Sequence, residues 1–142
     1  MTTSSNNAIE GLIDLIERGD VRAVAEALGA DRSLVSARTP EGDNVLHIAC
    51  WQKQVVILGT ILAYEPDVNA RGSNGRTPLH YAVHEGGAIS APIVGSLLAL
   101  GADPSIKDDY GFTVEDLAKI ELHEGLREVL DLLRRPSWRR QP

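Results

Sequence analysis

Apolar residues recur at helical spacing in two short segments near the start of this chain. Residues 8–18 carry isoleucine and leucine at intervals of three and four, and residues 21–28 carry valine, alanine and leucine in the same way. Gly19 and Asp20 separate the segments, and an aspartate directly before a helix can accept a hydrogen bond from a backbone N–H group. The pattern predicts two helices joined by a short turn, with Asp20 capping the second.

The same spacing returns near the end of the chain. Residues 117–122 and 126–133 are rich in leucine at helical intervals, and residues 123–125 suit a turn between them. We therefore expect a second helix pair here. The helix pair at residues 8–28 has no clear turn motif of its own. This is typical of the terminal capping unit of a repeat protein.

Between the two pairs, one eight-residue phrase occurs twice. Residues 42–49 read GDNVLHIA and residues 75–82 read GRTPLHYA, 33 positions apart. A unit of about that length is too small to bury its own apolar face, so such units stack on one another. The repetition predicts a helical repeat fold and argues against an enzyme.

The positions within the phrase have structural roles. Thr77 can cap a helix start, and Pro78 fits the first helical position because the N–H group it lacks would have no helical partner there. Leu79 and Ala82 fall on one helical face, where the small alanine lets a second helix approach closely. The first copy has Asn44 in place of Thr77, which preserves the capping ability.

The phrase TPLHYA at residues 77–82 resembles the signature of the ankyrin repeat, in which a β-turn finger is followed by two antiparallel helices. The second half of the unit matches as well, because residues 57–62 and 93–98 suit the second helices. Turns follow them at 66–70 and 101–104. Two independent halves in the right order support the resemblance.

A weaker third copy opens at Gly111, where residues 113–118 resemble the variant motif that has aspartate in place of histidine. Gly111 follows Gly75 by 36 residues, so the middle unit contains extra residues, and the flanking motifs confine them to 86–91. This lengthened loop is either a tolerated insertion or a functional elaboration.

The resemblance implies an all-α fold, an ankyrin-repeat solenoid of stacked helix-turn-helix units with β-turn fingers. With 142 residues, 43% hydrophobic and 4% aromatic, the chain can bury one continuous aliphatic core, and we expect a single domain. Its expected parts are an N-terminal cap unit (7–38), two central units (39–71 and 72–107), a C-terminal cap unit (108–135) and a basic tail (136–142).

Composition gives expectations about the cell compartment of the protein and the state of its cysteine. No apolar run is long enough to span a membrane, and the first seven residues lack the basic start and apolar stretch of a signal peptide, so we expect a cytoplasmic protein with no membrane partner. Cys50 is the only cysteine, which excludes an internal disulfide. Its place in the motif favours a buried, inert thiol over a reactive one.

The net charge of −6 hides an asymmetry. Four arginines lie in the last nine residues, so the first 133 residues carry a net charge of −10. An acidic body repels phosphate backbones, which argues against nucleic-acid binding and favours a partner with a basic surface. The tail, which we count from Arg134, has three interpretations: it grips an acidic partner, it folds back onto its own acidic body, or it is a frayed terminus.

Histidine spacing raises the question of a metal site. His80 and His84 lie four residues apart, which places two imidazoles on one side of a helix, and Glu85 is adjacent. The resemblance instead implies that His80, like His47, is structural and bonds across to a neighbouring finger. No combination of acid, base and nucleophile is present in the sequence, so we expect neither catalysis nor a cofactor.

The resemblance implies that partners meet the finger tips and the outer, concave side of each first helix. Aromatic and arginine side chains are the usual hot spots of interfaces, so Trp51, Tyr81 and Arg76 are the expected anchors of a protein partner. Phe112 has an equally good alternative in packing between units. The candidate partner-binding residues are Trp51, Tyr81, Arg76, His84, Glu85, Asp43, Asn74, Tyr110 and Phe112.

These observations predict a non-catalytic protein–protein interaction module that acts as a monomeric inhibitor, adaptor or immunity-type protein. The alternative is a small-molecule binder or enzyme that uses the groove, with the loop at 86–91 as a lid. A third possibility is a scaffold that associates with itself through an exposed end of the stack.

Overall fold

The computed structural model describes residues 2–84, 89–121 and 125–135, with side chains from Ala8 onward. These residues divide into two compact units between Asp67 and Val68, which we call the N-terminal and C-terminal units. All the regular elements within the described ranges are helical, in agreement with the predicted all-α class.

The N-terminal unit is built from helix pairs whose apolar stripes face inward. Helix α1 packs on α2 and α3, and α4 packs on α2 and α3, so the predicted apolar positions Ile9, Leu12 and Ile16 become fully buried. The helices are α1 (Thr2–Glu17), α2 (Val21–Ala30), α3 (Val45–Trp51) and α4 (Val55–Leu62), with a short 3-10 helix at Arg32–Val35.

The C-terminal unit has the same kind of construction. Helix α6 contacts both α5 and α8, and its Ile93, Val94 and Leu97 are completely buried. Helix α7 contacts α5 and α8 from another side. The helices are α5 (Pro78–Val83), α6 (Ser90–Ala99), α7 (Val114–Glu121) and α8 (Leu126–Arg134), with a short 3-10 helix at Ser73–Gly75.

Helix caps confirm two local predictions. The side chain of Asp20 accepts a hydrogen bond from the N–H of Ala23 at 3.1 Å, which fixes the start of α2. The side chain of Asn44 accepts one from the N–H of His47 at 3.0 Å, so asparagine does preserve the capping function at the start of α3.

A second hydrogen bond recurs at the start of α3, α5 and α7. In each case the residue before the helix donates its backbone N–H to the side chain three positions further on. Asp116 accepts this bond in the third copy as the histidines do in the first two, which accounts physically for the aspartate variant of the motif. The three bonds, each 3.0 Å long, join Asn44 to His47 Nδ1, Thr77 to His80 Nδ1 and Thr113 to Asp116 Oδ2.

Cys50 is completely buried on α3, as the sequence predicted. Burial raises the pKa of its thiol from an ordinary value of 9.0 to about 12, although the nearby charge of Lys53 acts in the opposite direction. The thiolate, which is the reactive form, is therefore strongly disfavoured in the folded chain.

Several predicted features lie outside the described residues. These are the candidate binding residue Glu85, residues 86–88 of the lengthened loop at 86–91, residues 122–124 near the last turn, and the tail from 136 to 142.

Candidate protein-interaction surface

Three short loops lie directly before α3, α5 and α7, and one backbone hydrogen bond closes each of them. The N–H of the first loop residue donates to the carbonyl of the fifth at 2.8 Å. Each loop also contains a glycine with positive φ (Gly42, Gly75 and Gly111), where a side chain would be strained. We call the loops L1 (39–43), which lies in the N-terminal unit, and L2 (72–76) and L3 (108–112), which lie in the C-terminal unit.

A buried carboxylate organises L3. Asp108 is only 4% exposed, and its Oδ1 accepts hydrogen bonds from the N–H groups of Tyr110 and Phe112 at 2.9 Å each. Its Oδ2 lies 3.4 Å from Nε of Arg76. The loop is therefore held from inside, and its tip residue Tyr110 stands 66% exposed.

Asp108 stays ionised although it is buried. Burial by itself raises the pKa of this carboxyl, but the N–H groups of Phe112 and Tyr110 and the Arg76 guanidinium outweigh it and hold the pKa below its ordinary value. The carboxylate thus carries the charge that makes its three hydrogen bonds strong.

His80 also holds L3 in place, through a hydrogen bond to its backbone. Its Nδ1 accepts the N–H of Thr77, so the ring proton lies on Nε2, which donates to the carbonyl of Phe112 at 2.9 Å. Burial lowers the pKa of His80, against the opposing effects of the Phe112 carbonyl and the Asp108 charge, and the ring is neutral. The structural role expected for His80 is confirmed.

L2 and L3 are joined to each other inside the C-terminal unit. The N–H of Asp109 donates to the carbonyl of Asn74 at 2.9 Å, and Nη2 of Arg71 lies 3.4 Å from the Asp109 carboxylate. Gly75 lies so close to these two side chains that a Cβ atom there would force them to move. The two loops therefore form one hydrogen-bonded platform.

Gly75 and Gly111 make a matched pair for testing this platform. Both have positive φ, but a Cβ on Gly111 would meet nothing within 4 Å, whereas one on Gly75 would collide with Asp109 and Arg71. We expect Gly111→Ala to lower the free energy of unfolding by about 1 kcal/mol and Gly75→Ala by about 2 kcal/mol, as measured by urea denaturation. Equal losses of unfolding free energy in the two variants would show that the close approach of Gly75 to Asp109 and Arg71 does not contribute to stability.

Exposed aromatic residues lie on both units. In the C-terminal unit Tyr110 and Phe112 project from L3, and Phe112 is 38% exposed, which leaves part of its ring available to a partner. In the N-terminal unit Trp51 at the end of α3 is 43% exposed. Exposed rings on ordered backbone are suited to recognition because little entropy is lost when a partner covers them.

The expectation that Tyr81 lies at the surface is wrong. Tyr81 is 5% exposed, and all six residues of α5 are buried because this short helix packs on both α6 and α7. A buried ring cannot anchor a partner without opening the fold.

The remaining candidate binding residues differ in solvent exposure. Asn74 is exposed at the tip of L2, whereas Asp43 is partly buried. Arg76 is partly buried and is engaged by Asp108. Nδ1 of His84 lies 2.9 Å from the carboxylate of Glu121 on α7.

The hypothesis of a metal site at His80 and His84 finds no support in their contacts, because the first is bonded to L3 and the second to Glu121. Within the described ranges, no group of three or more histidine, cysteine, aspartate or glutamate side chains is arranged to hold a metal ion. In the same part of the chain, no helix is both long and apolar enough to cross a membrane.

Sequence reasoning missed the role of Asp108, although a signal was present. Asp108 lies three residues before the loop glycine, at the place that Thr39 occupies in L1. The hydroxyl of Thr39 accepts the N–H of Asp43 at 3.1 Å, so a side-chain acceptor works at this position in both loops. Comparison of L1 with L3 gives this signal, whereas L2 has Gly72 at the same place and no side-chain acceptor.

Arg134, the last residue of α8, forms an ion pair within the C-terminal unit. Nε and Nη2 of Arg134 each lie 3.3 Å from an oxygen of Glu115, and Nζ of Lys119 lies 3.2 Å from the same carboxylate. The hydrogen bonds from Arg134 lower the pKa of Glu115. Glu115 lies in the first turn of α7, where an acidic side chain interacts favourably with the helix dipole, and its contact with Arg134 links the end of α8 to α7.

Comparison with known proteins agrees with this architecture. A family profile of ankyrin repeats in three copies matches residues 12–108, which is more than half of the chain. The chain therefore belongs to the ankyrin-repeat family. Ankyrin repeats generally mediate protein–protein interactions and are typically non-catalytic.

Individual relatives cover the chain to different extents. It is 41% identical to the ADP-ribosylation factor GTPase-activating protein AGD4 of Arabidopsis thaliana over 55% of its length, and 33% identical to the nuclear factor NF-kappa-B p105 subunit of Gallus gallus over 86%. The chain spans only 10% and 12% of those proteins. It is also 30% identical to protein phosphatase 1 regulatory subunit 27 of Mus musculus, over 74% of this chain and 66% of that protein.

Proposed function

We propose that this chain is a non-catalytic binding module that recognises a protein partner through the loops and exposed aromatic residues of its two units. The observation that carries the proposal is the construction of L3, where a buried carboxylate and a neutral histidine hold the exposed ring of Tyr110 on rigid backbone. The Tyr110 ring itself adds little to stability, because it lies in solvent. The arrangement lowers the entropy cost of covering that ring with a partner.

We further propose that L1, L2 and L3 are the β-turn fingers of repeats at 39–71, 72–107 and 108–135. Their shared closing hydrogen bond and their glycines with positive φ support this assignment. Trp51 and Tyr110 are the proposed anchors, and Phe112 and Asn74 lie beside Tyr110 on the platform. Tyr81 is withdrawn from the set because it is buried.

Charge favours a basic partner at the N-terminal unit. Residues 2–67 contain ten acidic and five basic side chains, so this unit carries most of the net negative charge of the protein. In the C-terminal unit, by contrast, residues 68–142 contain ten acidic and nine basic side chains, which nearly cancel. A basic surface on the partner would therefore be attracted mainly to the unit that presents Trp51.

The regulatory part of the proposal rests on the relatives. The similarity to a protein phosphatase 1 regulatory subunit covers about two thirds of that protein, which supports a regulatory role for this chain. We propose an inhibitor or adaptor role of this kind, without implying the same target.

The test is a capture experiment with matched variants. Trp51→Ala, Tyr110→Ala and Phe112→Ala are combined in one chain, and Val55→Ala, Val56→Ala and Leu100→Ala, which also remove exposed apolar surface, in another. A genuine partner is expected to bind the unmodified chain and the second variant alike, and to bind the first at least about tenfold more weakly. Equal affinity for the two variants would contradict the proposed surface.

A further inference from the structure

Thr39 in L1 and Asp108 in L3 occupy the same place in two loops of the same construction. Each is the first residue of its loop, and its backbone N–H donates to the carbonyl of the fifth residue at 2.8 Å. Each side chain also accepts the N–H of that fifth residue, at 3.1 Å between Asp43 and Thr39 and at 2.9 Å between Phe112 and Asp108. The two positions are therefore structurally equivalent.

The two side chains differ in their charge. Asp108 has two anionic oxygens, which also accept the N–H of Tyr110, the third loop residue, and face the guanidinium of Arg76. Thr39 has one neutral hydroxyl oxygen at the same place. L3 therefore shows what a negative charge at this loop position does: it draws backbone N–H groups and an arginine around itself.

The surroundings of Thr39 can accommodate such a charge. Nη1 of Arg38 donates to the carbonyl of Gly42 at 2.7 Å, so a guanidinium already lies against L1. The N–H of Glu41, the third residue of L1, corresponds to that of Tyr110 in L3. A phosphate on Thr39 would bring a charge of about −1.5 to −2 and three acceptor oxygens. Hydrogen bonds from arginine to phosphate are among the strong ones in proteins.

Two carboxylates of L1 oppose a phosphate at this place. Glu41 and Asp43 carry the same sign of charge, and a phosphate beside acidic side chains is repelled by them. Glu41 is exposed, so water and salt screen its effect, and Asp43 offers its backbone N–H to the same side chain. We therefore expect Arg38 and the backbone N–H groups to outweigh the repulsion.

Sequence and exposure together favour Thr39 as the target of a protein kinase. Thr39 is partly exposed, and its neighbours Arg38 and Pro40 are exposed. A serine or threonine directly before proline is the acceptor that proline-directed kinases recognise. The chain has one other Thr-Pro pair, at 77–78, but Thr77 is only 1% exposed. Burial makes Thr77 an internal control.

We propose that Thr39 is a phosphorylation site for a proline-directed serine/threonine kinase, and that its phosphate organises L1 as the Asp108 carboxylate organises L3. The Thr39 hydroxyl oxygen attacks the γ-phosphorus of ATP, the bond from that phosphorus to the β,γ-bridging oxygen breaks, and ADP leaves. The hydroxyl proton passes to the catalytic base of the kinase. The site lies within the N-terminal unit and does not depend on the proposed partner-binding function.

Phosphate transfer to the purified chain tests the site. With a proline-directed kinase and magnesium ATP, we expect tandem mass spectrometry to find one phosphate per chain, at Thr39, and none at Thr77. Thr39→Val should accept none, and Pro40→Ala should be phosphorylated several-fold more slowly. Absence of phosphate at Thr39, under conditions in which the same kinase fully modifies its standard peptide substrate, would overturn the proposal. An unchanged rate in Pro40→Ala would also contradict it.

Amide hydrogen exchange, measured by NMR, tests the effect of the phosphate on L1. In the phosphorylated chain, the amides of Glu41 and Asp43 are expected to exchange at least about threefold more slowly than in the unmodified chain. Phosphorylated Arg38→Gln should lose most of this protection. Phosphorylated Arg22→Gln, changed at an exposed arginine on α2, should keep it. Exchange that is unchanged or faster after phosphorylation, or equal protection in the two variants, would overturn the proposed effect on L1.

Discussion

Replacing Asp108 by alanine is expected to lower the free energy of unfolding by about 3 kcal/mol. The change leaves the N–H groups of Tyr110 and Phe112 without their acceptor and removes the counter-charge of Arg76. Asp108→Asn keeps one acceptor oxygen and is expected to cost about half as much. Urea denaturation followed by circular dichroism measures these differences.

The neighbouring residue provides the control. Asp109 is exposed, and its ion pair with Arg71 is open to solvent, so Asp109→Ala is expected to change the free energy of unfolding by less than about 1 kcal/mol. Similar losses for Asp108→Ala and Asp109→Ala would show that the internal carboxylate does not organise L3.

The pH dependence of Asp108 has a definite sign. Its pKa is lower in the folded chain than its ordinary value, so its contribution to stability is complete above the ordinary pKa and is lost as the pH falls through the folded one. Below about pH 4, the free energy of unfolding should therefore fall less steeply with decreasing pH in Asp108→Ala than in the unmodified chain.

Replacing His80 by alanine is expected to have a comparable effect, about 3 kcal/mol. It leaves the N–H of Thr77 and the carbonyl of Phe112 without their side-chain partner in the interior, and it opens a cavity between α5 and L3. His84→Ala is the matched control, because His84 directly follows the same helix and is partly exposed. We expect His84→Ala to lower the free energy of unfolding by clearly less than His80→Ala does.

His80 also gives the protein a sensitivity to mild acid. Its pKa is lowered on folding by burial, with Arg76 and Arg71 adding to that effect and Asp108 opposing it, so the neutral ring stabilises the fold above the ordinary pKa of about 6.5. Stability is lost as the pH falls below that value. The difference in unfolding free energy between pH 7.5 and pH 5.0 should be smaller in His80→Gln than in the unmodified chain, and an unchanged difference would contradict the assignment.

The repeated phrase predicted the helix starts well because its signals are local. A capping side chain, a proline at the first helical turn and a glycine in the loop each act within a few residues, so Asn44, Pro78 and Gly75 have the roles that their chemistry indicates. The start of α1 was predicted too late, at residue 8, because the helix begins at Thr2 in a threonine-, serine- and asparagine-rich stretch with weak helix propensity.

The candidate site was less accessible to sequence reasoning because burial depends on neighbouring elements. Tyr81 occupies a position where the other copy has Ile48, and only the packing of α6 and α7 around α5 shows that the ring is enclosed. The role of Asp108 likewise depends on the N–H groups of L3 and on Arg76, which lies 32 residues earlier. Tyr110 and Trp51 were predicted correctly as exposed residues, but their use in binding stays a prediction.

The most direct test of the proposed function is hydroxyl-radical footprinting of the chain alone and in complex with a captured partner. The proposal predicts that oxidation of Trp51, Tyr110 and Phe112 falls on binding, while that of the exposed Val56 on α4 and Leu100 directly after α6 stays unchanged. Protection of Val56 and Leu100 with no change at the three aromatic residues would contradict the account.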